Sequence, residues 1–246
     1  MSVMLVTGGS RGIGAAVCKI AAAKGWSVLV NYAGNKVAAD AVVAAVNAAG
    51  AQAVALQGDV SSETDVVAMY DAAEAMGPVT AVVNNAGIVG PISTVAEMDL
   101  NRIKRVLDTN VLGAMLVSRE CARRMPVNRG GPGGAMVITS SAAARLGAPN
   151  EFVDYAASKG ATDAMTHGLA KEIGPHGVRV NAVRPGLIET EIHASAGAPD
   201  RVERLMSGVP MARAGTAEEV AETIVWLAGP EASYVNGAFL DVTGGR

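Results

Sequence analysis

The chain has little of several things a protein can use. Its 246 residues hold two cysteines, Cys18 and Cys121. Both sit in helix-like stretches with no C-x-x-C pattern, so a disulfide framework is excluded and two reduced core thiols are expected. Three histidines, His167, His176 and His193, are scattered, and no two share ligand spacing with an acid or a thiol, so no metal is expected. Charged residues make up only 17% and the net charge is −3. Without a basic stripe or an arginine run, a nucleic-acid partner is excluded. No stretch approaches the roughly 18 uninterrupted apolar residues of a membrane span. The opening MSVMLVTGG enters a strand at once rather than a charged region followed by an apolar signal segment. A cytoplasmic protein with no membrane partner is expected.

Half the residues are hydrophobic and only 3% aromatic. Alanine and valine dominate, which suits helices packed closely on a valine-rich sheet. Short apolar runs at 3–7, 27–32, 51–60, 80–87, 135–141 and 177–186 read as strands, and AFLDVTGG closes the chain. Between them lie helical stretches from about 12, at 36–49, from 61 or 62, at 99–125, at 152–173 and at 217–228. Gly50 stops the second helix, and Ser61 or Ser62 caps the third. Strictly alternating strands and helices with doubly apolar strands demand right-handed crossovers. The expected fold is therefore α/β, a doubly wound parallel sheet with helices on both faces, in a single domain over 1–246. One segment, 187–216, breaks the alternation, and its length and Gly/Pro punctuation suggest a lid over a site.

The first strand runs into TGGSRGIG at 7–14. Its glycines do not follow G-x-G-x-x-G, yet the loop lies at the first strand-to-helix junction, where helix N–H groups can meet a pyrophosphate. Gly8, Gly12, Ile13 and Gly14 are its candidate phosphate contacts. An NAD site expects an acid at the end of the second strand. Asn31 stands there instead, and the only carboxylate between Ala15 and Gly58 is Asp40, inside the next helix. Arg11 could meet a 2′-phosphate with its forked guanidinium, with Ser10, Asn31 and Tyr32 as helpers, so NADP is favoured over NAD.

Tyr155 and Lys159 are four residues apart on a predicted helix and share a face. A free phenol is a weak acid, and a neighbouring ammonium would draw it towards the working pH. Ser141, at the end of the fifth strand, could hydrogen-bond a substrate oxygen.

Over essentially its whole length the sequence resembles the short-chain dehydrogenase/reductases, in particular glucose-1-dehydrogenase-like and 3-oxoacyl reductase-like bacterial members. TGGSRGIG matches T-G-x-x-x-G-x-G, GDV at 58–60 the adenine turn and NNAG at 84–87 the strand-four motif. YAASK matches Y-x-x-x-K, and RPGLIET at 184–190 matches P-G-x-x-x-T. The resemblance implies a Rossmann-type fold with Tyr155 as acid/base and Lys159 on the nicotinamide ribose. It implies Ser141 on the substrate oxygen and Asn110 supporting a proton relay. Asp59 and Val60 would contact adenine, and Asn85, Ala86 and Gly87 would line the adenosine side. Pro185, Gly186, Ile188 and Thr190 would meet the nicotinamide. It also implies a homotetramer or dimer paired through the Ala-rich helices at 99–125 and 152–173.

One departure stands out. The family's serine precedes its tyrosine by thirteen positions, whereas Ser141 precedes Tyr155 by fourteen. Thirteen back is Ala142, which has no hydroxyl, so Ser141 is preferred with Ser140 in reserve, and RLGAPNEF would carry an extra residue.

The implied activity is NADP(H)-dependent hydride transfer to a small-molecule carbonyl or from a secondary alcohol, on CH–OH donors. Thioester reduction and sugar oxidation remain open. A non-catalytic NADP-binding sensor or scaffold on the same fold is the alternative, against which the Ser, Tyr, Lys and Asn set argues. In the lid, His193 is a candidate substrate contact, while Glu189, Glu191 and Asp200 read as solvated charge. Trp26 and Trp226 read as core, and His167 as packed or capping.

Overall fold

The computed structural model describes all 246 residues, save the side chains of His193 and Ser195. The expectation for His193 therefore lies outside the described residues. In chain order the elements are β1 Val3–Val6, α1 Gly12–Ala23, β2 Ser27–Tyr32, α2 Lys36–Ala48, β3 Ala53–Gln57, α3 Glu63–Met76 and β4 Val79–Asn84. Then come α4 Leu100–Leu107, a π-helical turn Asp108–Gly113, α5 Ala114–Arg124, β5 Gly134–Thr139, α6 Ala143–Leu146 and α7 Val153–Ile173. The chain ends with β6 Val178–Pro185, α8 Ile192–Ser195, α9 Arg201–Met206, α10 Ala217–Ala228 and β7 Phe239–Val242.

All strand pairs are parallel, in the order β3-β2-β1-β4-β5-β6-β7. The fold is a doubly wound parallel sheet. Alternation along β1 shows why both faces must be covered. Met4 and Val6 join the cluster under α1, α2 and α10, while Val3 and Leu5 join the one under α3, α5 and α7. Burial of each such Val, Leu or Ile side chain is worth about 1.5–3 kcal/mol.

Local signals start the helices. Asn35 Oδ1 accepts from Ala38 N, Ser62 Oγ from Asp65 N and Asp99 Oδ1 from Arg102 N. Thr216 and Glu219 form a capping box at α10. Both cysteines are buried and free. Burial raises both thiols, Cys121 to about 12, so neither offers a thiolate near neutrality. Among the described residues no helix is long and apolar enough to cross a membrane.

The expected helical stretch at 99–125 is helical from Leu100 to Arg124, with the π-helical turn Asp108–Gly113 set between α4 and α5. One sequence expectation needs correction. Trp226 is not core. It lies on α10 between buried Val225 and Leu227 and is 41% exposed, because the helical period turns that position away from the sheet. Trp26 does pack against the sheet cluster and donates to Thr80 Oγ1.

Segment 187–216 returns to its own base. Gly215 N donates to the Leu187 carbonyl and Glu189 N to the Gly215 carbonyl, both at 2.9 Å. Leu187, Val209 and Ala214 form its apolar centre, with Val202 and Leu205 packed against them.

Candidate active site

Strand order reverses between β1 and β4, and in such sheets the crevice opens at the carboxyl ends of the strands at that point. A cleft of about 1170 Å³ lies there. Every residue expected to bind the cofactor lines it, from Gly8 in the first loop to Thr190 after β6. Among the described catalytic candidates, Asn110 alone does not line it.

Steric need explains the glycine spacing. Gly8 and Gly12 have φ of 62° and 51°, in the left-handed region, and a Cβ on Gly14 would run into the Gly8 carbonyl. Thr7 Oγ1 accepts from Asn85 N at 2.9 Å and Ala86 N at 3.0 Å, and Asn85 Nδ2 donates to the Thr7 and Gly8 carbonyls. The loop is thereby stitched to the end of β4. Above it, α1 has no side-chain N-cap bond and no acid in its first turn. Its first N–H groups and dipole therefore favour an anion, and the cradle fits a dinucleotide pyrophosphate. Thr139 Oγ1, buried in the cleft wall, has no hydrogen-bond partner among the described residues.

Asn31 does more than stand in for an acid. It is buried, its Oδ1 accepts from Gly8 N at 3.2 Å and its Nδ2 donates to the Gly58 carbonyl at 3.0 Å. Its amide is spent on holding the loop to the end of β3, leaving Arg11, Ser10 and Tyr32 as the side chains that face the cleft. Arg11 is half exposed and its Nε lies 3.6 Å from Glu191 Oε2. Glu191 is 65% exposed, the solvated charge its sequence context suggested, and it reaches the edge of the phosphate loop. Asp59 Oδ1 accepts from Ser61 N and Oγ, which shapes the GDV turn.

At the other end of the cleft, α7 presents Tyr155 and Lys159 on one face. Lys159 is buried and its Nζ donates to the Thr139 carbonyl at 2.7 Å. Desolvation lowers its pKa to about 8, although Asp163 opposes the shift. Tyr155 moves the other way. Burial raises its pKa, while a hydrogen bond shared with the Ser141 hydroxyl and the charge of Arg201 hold it down. Lys159 Nζ stands 5.6 Å from the Tyr155 ring centroid and donates to the Thr139 carbonyl, so in the cofactor-free protein Ser141 and Arg201 supply the lowering pull on the phenol.

The two serines separate clearly. Ser140 Oγ donates to Asp163 Oδ1 at 2.6 Å, and Asp163 also receives Arg184 at 2.7 Å. The Ser140 hydroxyl is therefore taken by a half-buried ion pair, which leaves Ser141 as the serine available in the cleft wall. The stretch RLGAPNEF runs through a bend where Gly147, Ala148 and Asn150 all take positive φ, of 75°, 45° and 62°. Left-handed backbone at Ala148 is costly for a residue with a Cβ.

Asn110 sits in the π-helical turn, behind the cleft wall. Its Oδ1 accepts from Ile88 N at 2.8 Å, while its Nδ2 donates to the Ile88 carbonyl at 2.9 Å and to Ser158 Oγ at 3.0 Å. Single-turn π geometry recurs at functional sites because it re-aims one residue of a helix. A Cβ on Gly87 would lie 3.4 Å from Lys159 Nζ and 3.5 Å from Asn110 Oδ1, so these three positions converge.

Sequence reasoning missed Glu151, Arg201 and Arg204, which meet in the cleft wall. Some 50 residues separate the acid from its partners, and no local pattern announces such a pairing.

Comparisons with known proteins show the family and the fold. The family model described as Enoyl-(Acyl carrier protein) reductase matches residues 8–246. The uncharacterized oxidoreductase YgfF of Escherichia coli (strain K12) is 52% identical over 247 residues, covering all of both chains. An NADPH-dependent aldehyde reductase-like chloroplastic protein of Arabidopsis thaliana is 35% identical, covering 99% of this chain and 93% of its own. A short-chain dehydrogenase from Burkholderia cenocepacia J2315, solved in complex with NADP, superposes with a TM-score of 0.88 at 36% identity, covering 98% and 96%. With its glycine cradle, its Ser141–Tyr155–Lys159 arrangement and these relatives, the chain belongs to the short-chain dehydrogenase/reductase family of oxidoreductases.

Proposed function

We propose that this protein is an NADP(H)-dependent oxidoreductase that moves a hydride between the nicotinamide and a carbonyl or secondary alcohol, with Tyr155 as the proton donor and acceptor. The observation that carries the reading is that Ser141, Tyr155 and the buried Lys159 line the dinucleotide cleft together, with Lys159 Nζ 5.6 Å from the Tyr155 ring centroid. The nicotinamide, when bound, supplies or takes the hydride. In the reductive direction Ser141 orients the substrate oxygen and Tyr155 gives its phenolic proton to that oxygen as negative charge develops on it. Lys159, with Nζ beside Gly87 and Asn110, would hold the ribose and stabilise the phenolate left behind. Asn110 acts by holding the β4 loop to α7 through Ile88 and Ser158.

NADP is preferred over NAD on the strength of Arg11 at the cleft edge and an Asn31 amide where a carboxylate would repel the 2′-phosphate. The NADP-complexed structural relative and the NADPH-dependent plant relative support this. Segment 187–216 closes over the substrate as a lid, excluding water from the hydride path. The chain folds as one domain and works in the cytoplasm as a homo-oligomer. Leu100, Leu107, Leu112 and Met115 are exposed on and beside α4 and α5, the face two copies would cover. Thioester and sugar substrates both remain within this reading.

A binding module without turnover would have no use for a serine and a tyrosine lining the cleft beside a buried lysine. The deciding experiment is a screen of aldehydes, ketones and alcohols followed by NADPH absorbance. Turnover by the wild type and its loss in Tyr155→Phe are expected; an NADPH-binding protein that turns over none of them would refute the reading.

A further inference from the structure

Beyond Tyr155 the cleft wall is largely apolar, with Ile92, Leu146, Pro149 and Leu205 in it, and Glu151, Arg201 and Arg204 interrupt that surface. Arg201 Nε and Nη2 both donate to Glu151 Oε2, at 3.0 and 2.9 Å, and its guanidinium lies 5.2 Å from the Phe152 ring centroid. Arg204 Nη2 donates to the other oxygen, Oε1, at 3.0 Å. One carboxylate therefore serves two cations.

Glu151 is itself anchored. Its carbonyl accepts from Ser93 N at 3.2 Å and Arg102 Nη2 at 3.4 Å, and the bend before it is set by the left-handed Ala148 and Asn150. The two guanidiniums are thus held in place before any ligand arrives, and the side chain of Arg201 is only 15% exposed. One carboxylate leaves one of the two cations without a counter-ion of its own, and Arg204, with its side chain 45% exposed, is the one an incoming anion can reach. A planar guanidinium suits a carboxylate best, because its N–H groups match the two oxygens.

We propose that Arg201 and Arg204 are specificity-determining residues that select a substrate bearing a carboxylate, an oxo acid or the corresponding hydroxy acid, with Glu151 holding them towards the cleft. This rests on the hydride-transfer reading above and names the substrate class it leaves open. The closeness of Arg201 to the reacting centre is consistent with its effect on Tyr155. A lid latch built from the same ion pairs would serve charged and neutral substrates alike, which makes the two accounts separable.

The test uses 2-oxohexanoate, 4-oxohexanoate and 5-oxohexanoate, each paired with its methyl ester. Turnover is read as kcat/KM from NADPH oxidation, and binding to the enzyme–NADP complex by calorimetry. At least one acid should exceed its ester by tenfold or more. Arg204→Ala should lower kcat/KM for that acid at least tenfold more than for its ester, and Glu151→Gln should not lower the acid-to-ester ratio. Circular dichroism checks that both variants fold. Esters equal to or better than acids in every pair would overturn the proposal, as would equal losses for acid and ester in Arg204→Ala, or no binding by any acid. Tight acid binding that depends on Arg204 without turnover would sustain the proposal and defeat the hydride-transfer reading. Turnover of neutral carbonyls with no acid preference would do the reverse.

Discussion

Lys159 Nζ donates to the Thr139 carbonyl at 2.7 Å, so the last residue of β5 is tied to the helix that carries Tyr155. That one bond sets the distance between Ser141, two residues beyond Thr139, and Tyr155, one turn before Lys159. It also leaves a lysine buried in the cofactor-free protein, with pKa near 8.

Burial of that ammonium makes stability depend on pH. Below about pH 8 the lysine is charged in both folded and unfolded chains, and folding bears the whole desolvation cost. Between about 8 and its ordinary value of 10.5 the folded protein binds fewer protons than the unfolded chain, so stability rises with pH. Lys159→Met lacks this titration. Thermal unfolding of both proteins without cofactor, from pH 7 to 10, should show the wild type gaining on the variant as pH rises. A constant gap between their melting temperatures would contradict the assignment.

Tyr155→Phe keeps the ring and removes the proton. A fall in kcat/KM of about 10²- to 10⁴-fold is expected with NADPH affinity nearly intact. Fluorescence titration of bound NADPH alongside steady-state rates checks both halves, and unchanged turnover would sink the role given to this tyrosine.

Arg11→Ala should weaken NADPH about tenfold while leaving NADH nearly untouched, since a charge-assisted contact to phosphate is worth roughly 1.5–3 kcal/mol. Calorimetric titration of both cofactors measures this directly. Equal losses for the two would mean that Arg11 supports the loop rather than the 2′-phosphate.

Arg102 and Asp154 form a buried bidentate pair, at 2.9 and 3.2 Å, between α4 and the first turn of α7. Arg102→Ala would leave the Asp154 carboxylate buried beside Tyr155 without its partner, at a cost of about 3–5 kcal/mol. For a chain of this length that corresponds to a melting temperature lower by roughly 10 °C. Scanning calorimetry reads it, and a shift of only a degree or two would show that Asp154 finds water or another donor.

Leu112 is 45% exposed in the π-helical turn. Leu112→Asp should shift a homo-oligomer towards smaller species in light scattering while leaving circular dichroism unchanged. A wild type that is monomeric at micromolar concentration would refute oligomerisation through this face.

Much of this molecule was legible in the chain because the signals were local. Valine-rich runs broken by helical periods lead to a parallel sheet, since strands buried on both faces need apolar residues at every position. Gly8, Gly12 and Gly14 were readable because each answers a backbone constraint within eight residues. The π-helical turn left no trace, because 99–125 carries unbroken helical periodicity and a π turn shifts only the hydrogen-bond register. Trp226 misled because a large apolar residue between Val225 and Leu227 looks like core until the helix is rotated into place.

By itself the sequence determined the class of fold, the position of the phosphate loop at the first crossover and the pairing of Tyr155 with Lys159, all properties of spacing along one chain. Only the tertiary structure decided that the Ser140 hydroxyl is taken by Asp163, on the facing helix, which leaves Ser141 as the candidate serine. It alone turned Asn31 inward to Gly8 and Gly58 and set Lys159 against Thr139. And it alone brought Arg201 and Arg204 onto Glu151, since charges 50 residues apart meet only when the chain folds back across the cleft.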